Sequence, residues 1–162
     1  LVKKFKYAPG PWNEISLTEP SYLELKGFFS FEKKANAVSI IAKLSTNLLG
    51  ALNVAKASHP YLARSKGMLL NFSSSSYTRG RGGYVPYSAS KAAIVNMTQG
   101  LAEEWLDDGI RVNCIVPGRT DTEMRRSNFY NEDPSTLLSP YEVALQSAKV
   151  LALSTSGIIV RV

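Results

Sequence analysis

The 162 residues are 44% hydrophobic and 20% charged, enough for one ordinary globular domain with its own core. No apolar run reaches 18 residues and no signal-peptide pattern is present, so a membrane helix is not expected. One cysteine, Cys114, excludes a disulfide within the chain and suits a reducing, cytoplasmic location. The net charge of +6 calls for either a basic surface or an anionic ligand.

Residues 1–30 hold a basic start, a Pro/Gly loop at 8–12 and several phenylalanines, and read as an N-terminal arm. The chain begins at Leu1 rather than Met, as expected of a piece of a longer protein. From Phe31 to about Ala63, apolar residues recur at steps of three and four, which predicts a helix that Pro60 ends or kinks. Residues 68–72 predict a buried strand, followed by four serines and a loop containing Gly80, Gly82 and Gly83. A helix then opens near Tyr87, with Pro86 at its first turn, and runs to about Asp108, where Gly109 suits a left-handed cap. Ile110 to Val116 is a second buried strand. Residues 119–139 are polar and read as a mobile loop over a site. Ser139-Pro140 opens a helix to about Leu153, and a last strand spans 158–162. Alternating helices and strands argue for a right-handed parallel α/β layer.

Chemistry concentrates between residues 67 and 100. Tyr87 and Lys91 are four residues apart and share a helix face. A free tyrosine titrates near pH ~10, and a neighbouring ammonium favours the tyrosinate. The phenol can then exchange a proton with a carbonyl or carbinol oxygen that a serine hydroxyl holds from the other side. Ser74, at the strand's end, lies 13 residues before Tyr87. Tyr22 and Lys26 repeat the spacing but lack the strand, the serine and the small-residue helix, and read as a surface pair. His59, the single histidine, has no partner for a metal site, and Cys114 reads as a core residue, so no metal is expected.

The segments NFSS (71–74), YSASK (87–91), RVNCIVPG (111–118) and TDTEM (120–124) together resemble the short-chain dehydrogenase/reductase family, from about residue 44 to the end. The resemblance implies a Rossmann-type parallel sheet and hydride transfer between NAD or NADP and a carbonyl or alcohol. It makes Tyr87 the acid/base, Lys91 its support and the holder of the nicotinamide ribose, and Ser74 the binder of the substrate oxygen. Asn47 in TNLLG matches a proton-relay asparagine, and Pro117, Gly118 and Thr122 match the stretch bordering the nicotinamide. SSSSYTRGR (73–81), GRTDTEMR (118–125) and TLLSPYEVA (136–144) look like the reductase-type domain fused to ribitol-phosphate cytidylyltransferases, which implies a phosphorylated sugar substrate. Arg79, Arg81, Arg119, Arg125 and Arg126 follow strand ends, and arginine forks suit phosphate oxygens or solvate the loops.

The glycine-rich turn of a dinucleotide site is missing, as is the acidic residue expected after it. The fold expected is therefore α/β, a partial Rossmann-type sheet with flanking helices that lacks the first βα units. Residues 31–162 would be the C-terminal portion of a reductase domain, holding only the nicotinamide half of the cofactor site. Family members associate through the helices matching 31–63 and 87–108, so a homo-oligomer is expected. The alternative is a catalytically incomplete fragment or remnant serving as an oligomerisation or binding module. Nucleic-acid binding is disfavoured, because the strands lack interleaved aromatic and basic residues.

Overall fold

A computed structural model of the chain describes residues 37–80 and 82–162. The expected arm over residues 1–30, the Tyr22/Lys26 pair and Arg81 lie outside the described residues.

Helix α1 (Ala37–Leu44) runs through one π-helical turn, Ser45–Leu49, into α2 (Gly50–Ser65). Ile40 and Ala55 are buried, as the apolar periodicity requires. The helix ends at Ser65, close to the expected Ala63, and Pro60 lies inside it rather than ending it. Pro60 is exposed, and Arg64 Nε donates to its carbonyl at 3.1 Å. Lys66 makes the turn after it, in the left-handed region at φ +50°.

Three strands, β1 (Met68–Phe72), β2 (Arg111–Val116) and β3 (Ile159–Arg161), form a parallel sheet in the order β1-β2-β3. Leu70 pairs with Asn113, and Ile115 with Val160. The central strand is buried from Val112 to Val116, as its continuous apolar run predicts. Side chains alternate between the two faces of a strand. Val112 joins Ala55, Ala102, Trp105 and Ile110, while Cys114 and Val116 join Ile94 and Val95. On the other parity, Arg111 donates to the carbonyls of Leu151 and Leu153, and Asn113 Nδ2 to Thr155 O at 2.8 Å. One sheet face thus packs on α2 and α3 (Val85–Glu104), and the other meets the end of α5 (Pro140–Leu151).

Helix α3 opens two residues before Tyr87 and stops at Glu104, short of the expected Asp108. Gly109 has φ +70°, and a Cβ there would lie 2.7 Å from Lys66 Cδ. Residues 119–139 differ most from expectation. They hold a short helix, α4 (Glu123–Asn128), and a 3-10 turn at Pro134–Thr136, each started by a side-chain cap from Thr122 or Asp133. Backbone hydrogen bonds Asp121 N to Leu138 O and Leu138 N to Arg119 O, both 2.8 Å, close the excursion at its base. Helix α5 carries the expected cap as a full capping box of Ser139 and Glu142, and ends at Leu151. No helix among the described residues is long and apolar enough to cross a membrane.

Candidate active site

The carboxyl end of β1 feeds directly into the serine run. Ser73 N donates to Ile115 O at 2.9 Å and Ser73 Oγ to Lys91 O at 2.7 Å, which fastens the strand end to both β2 and α3. Ser74 is extended and caps the 3-10 turn Ser75–Thr78. Its Oγ accepts from Ser76 N at 3.3 Å and from Ser76 Oγ at 3.1 Å.

On the first turns of α3, Tyr87 and Lys91 share a face, with Lys91 Nζ 5.9 Å from the centre of the Tyr87 ring. The ammonium donates to Phe72 O at 3.1 Å, so it is held at the same strand end that presents Ser74. Burial pushes the Lys91 pKa down from the ordinary lysine value. A Cys114 thiolate would oppose that shift, but burial pushes the Cys114 thiol up and keeps it protonated near neutrality. Cys114 is fully buried in β2, as expected of a core residue.

Asn47 lies in the π turn between α1 and α2. Its Nδ2 donates to Ser90 Oγ at 3.0 Å, and Ser90 Oγ donates to Tyr87 O at 2.7 Å. Asn47 thus reaches the helix that carries Tyr87 through one hydroxyl. A π turn inserts one extra residue into a helix and re-aims the side chains beyond it, a device frequent at functional sites.

At the ends of β2 and β3, Pro117 O accepts from Ser75 N at 3.1 Å and Gly118 N donates to Val162 O at 2.9 Å. A Cβ on Gly118 would meet Val162 O at 3.1 Å, so the glycine also serves close strand packing. Thr122 Oγ1 accepts from Arg125 N at 3.2 Å as the cap of α4.

The arginines separate into two kinds. Arg79 is exposed and directly follows the serine turn. Arg125 is forked onto Glu132, Nε at 2.6 Å and one terminal nitrogen at 2.8 Å, and lies 4.4 Å from the Phe129 ring centre. Arg119 joins the same carboxylate at 2.8 Å, and Arg126 pairs with Asp121 at 2.7 Å. Phe129 in turn stacks on Tyr84, the residue before α3, at 5.8 Å between centres. Any anion taken by Arg125 must compete with Glu132.

Ser74, Tyr87 and Lys91 are thus gathered at the carboxyl end of β1, with Asn47 joined through Ser90 and Pro117 through the serine turn. His59 lies elsewhere. It meets Asp108 at 2.8 Å and Trp105 edge-on, near the amino end of β2, and the described residues hold no cluster fit for a metal. Sequence reading missed Ser73, Ser76, Ser90 and Glu132. Ser90 had a signal, three residues after Tyr87 on the same helix. Glu132 had none, because its bond to Arg125 depends on how residues 119–138 fold back.

The short chain dehydrogenase family profile matches residues 26–133. The chain belongs to that family. It is 46% identical over 123 residues to a bifunctional ribulose 5-phosphate reductase/CDP-ribitol pyrophosphorylase of Haemophilus influenzae, covering 76% of this chain and 26% of that protein. An uncharacterized oxidoreductase of Escherichia coli K12 is 41% identical over 101 residues, 62% of this chain and 40% of its own. Among solved structures, a short chain dehydrogenase of Shigella flexneri complexed with NADP superposes with a TM-score of 0.73 at 32% identity, covering 79% of this chain and 55% of the other. A relative from Escherichia coli CFT073, complexed with NADPH, gives 0.73 at 31%, with 79% and 55% covered. The chain therefore spans about a quarter to two-fifths of these curated relatives and just over half of these solved dehydrogenases.

Proposed function

We propose that this chain carries the catalytic part of an NADP(H)-dependent reductase that converts a phosphorylated ketose to its alcohol. The observation that carries the reading is the gathering of Ser74, Tyr87 and the Lys91 ammonium at one strand end. NADP is favoured over NAD by the two solved relatives that bind it. The sugar phosphate is suggested by the reductase of Haemophilus influenzae and by the exposed Arg79 beside the serine turn.

The donor set suits the nicotinamide side of such a cofactor. Lys91 has three N–H groups and spends one on Phe72 O, which leaves donors for a ribose diol beside the Tyr87 hydroxyl. Pro117, Gly118 and Thr122 would border the nicotinamide. The glycines between β1 and α3 lead into the helix that carries Tyr87, and no other glycine-rich strand-to-helix turn is present among the described residues. When bound, the reduced nicotinamide supplies a hydride to the carbonyl carbon. Ser74 holds the carbonyl oxygen by a hydrogen bond that strengthens as negative charge grows there. Tyr87 gives its phenolic proton to that oxygen, so C=O becomes CH–OH and a tyrosinate is left. The Lys91 ammonium steadies the tyrosinate until a proton returns, for which Asn47 is the proposed relay.

Arg79 would bind the phosphate, with Arg81 and Arg125 as further candidates; Arg125 becomes available once Glu132 yields it.

In the full-length protein, Tyr87→Phe should abolish NADPH-dependent reduction of ribulose 5-phosphate while leaving NADPH affinity nearly intact. Retained turnover would refute the assignment. Arg79→Ala should raise KM for the phosphorylated ketose by roughly ten-fold, the worth of one charge-assisted hydrogen bond. An unchanged KM would remove Arg79 from the phosphate site. NADPH and NADH titrated into residues 1–162, with no binding at millimolar levels, would show that this chain does not catalyse alone.

A further inference from the structure

Ser74 has the hydroxyl that the proposed reaction uses, and that reaction needs it to donate. A serine hydroxyl rotates freely and can donate in several directions or only accept. Here its surroundings restrict it. Ser76 N–H approaches Ser74 Oγ at 3.3 Å and Ser76 Oγ at 3.1 Å. Ser76 is 8% exposed, and among the described residues its hydroxyl has no other partner than Ser74 Oγ. Two directions exist for the bond between the two hydroxyls. If Ser74 donated, the Ser76 proton would have no acceptor among the described residues, an arrangement that largely buried hydroxyls avoid. If Ser76 donates, its proton is satisfied and both acceptor positions of Ser74 Oγ are filled. The Ser74 proton then has only one use, donation away from the 3-10 turn.

We propose that Ser76 is a positioning residue that fixes Ser74 as a hydrogen-bond donor to the substrate oxygen. The inference rests on the reading of Ser74 as the substrate-oxygen ligand. Ser76 does not touch the substrate; it removes the orientations of the Ser74 hydroxyl that would compete with donation. The benefit falls on the step in which charge grows on the oxygen, so it belongs in kcat rather than in KM.

The test is a double-mutant cycle in the full-length protein, with NADPH and ribulose 5-phosphate. Ser74→Ala should lower kcat by about 100-fold, the usual loss of one donor to a developing oxyanion. Ser76→Ala should lower kcat by roughly ten-fold, a partial loss of the same donor, with KM nearly unchanged. Ser76→Thr, which keeps the hydroxyl, should restore most of it. In the Ser74→Ala background, Ser76→Ala should cost nothing further. If Ser76→Ala fails to fold, Ser76→Cys, with a similar shape and a weaker donor, takes its place. Wild-type kcat in Ser76→Ala beside an impaired Ser74→Ala overturns the inference and leaves the reading of Ser74 intact. A Ser76→Ala loss that persists in the Ser74→Ala background also overturns it. Full activity in Ser74→Ala overturns the reading of Ser74 itself.

Discussion

Thr98 is fully buried on α3, and its hydroxyl is used twice. It donates to Ile94 O at 2.8 Å and accepts from Asn71 Nδ2, in β1, at 3.0 Å. Asn71 is itself buried. The pair therefore ties the strand that leads to Ser74 to the helix that carries Tyr87, at a buried place where an unpaired amide is costly. Thr98→Val keeps the shape and strands the Asn71 amide, at a cost of about 1–3 kcal/mol. Thermal or urea unfolding should show that loss, and Thr98→Ser, which keeps the oxygen, should recover part of it. Equal stability of the valine variant would mean that Asn71 finds another acceptor.

At the scale of elements, the excursion between β2 and α5 is held by carboxylates rather than by a core. Arg125 bonded to Glu132, with Arg119 beside it, holds the Glu132 carboxyl below the usual glutamate range. The folded-state pKa is thus lower than the unfolded one, which sets the sign. The clasp contributes fully above the unfolded value, near pH ~4.3, and is lost as pH falls through the folded value. Amide protection factors over residues 119–138, each referred to the intrinsic exchange rate at the same pH, should therefore be high at neutral pH and fall in acid. Glu132→Gln should bring fast exchange to pH 7. If the variant exchanges like the wild type at pH 7, the clasp does not order this segment. The same segment marks where sequence reading ran out. The strand at 68–72 and the helix carrying Tyr87 were legible because apolar runs, Pro86 and the Tyr/Lys spacing are local signals. The same local logic saw Ser139 as a cap. The α4 helix was not legible, because a six-residue polar helix has no periodicity to show. It exists through the Thr122 cap and a carboxylate seven residues beyond Arg125. That α2 runs through Pro60 rather than ending there was left open by the local signal, and the packing of Ala55 before it and Leu62 after it decides the matter. Within the site, Tyr87, Lys91 and Ser74 stood out by spacing, whereas the Ser73, Ser76 and Ser90 hydroxyls became distinguishable only once their partners had positions.

At the scale of the molecule, α1, the π turn and α2 carry exposed apolar side chains that no described element covers. Leu49 is 53% exposed, Val54 62% and Ile41 52%. Single exposed leucines are ordinary, but several along one continuous helix are the usual mark of a contact surface. The sequence also expects association through the helices over 31–63 and 87–108, and α3 is lined with small residues that let another helix approach closely. A second copy of the chain is the occupant that this combination favours, since a two-fold contact uses the same patch on both partners. Sedimentation of the full-length protein at micromolar concentration should then show a dimer or larger species. Val54→Glu should shift it toward monomer, because a carboxylate buried without a partner at such a contact is costly. Asn47 sits in the π turn between those exposed residues and donates to Ser90 on the helix that carries Tyr87. Monomerisation should for that reason lower kcat along with assembly. A wild-type monomer would remove the surface argument, and a fully active Val54→Glu monomer would separate assembly from the site.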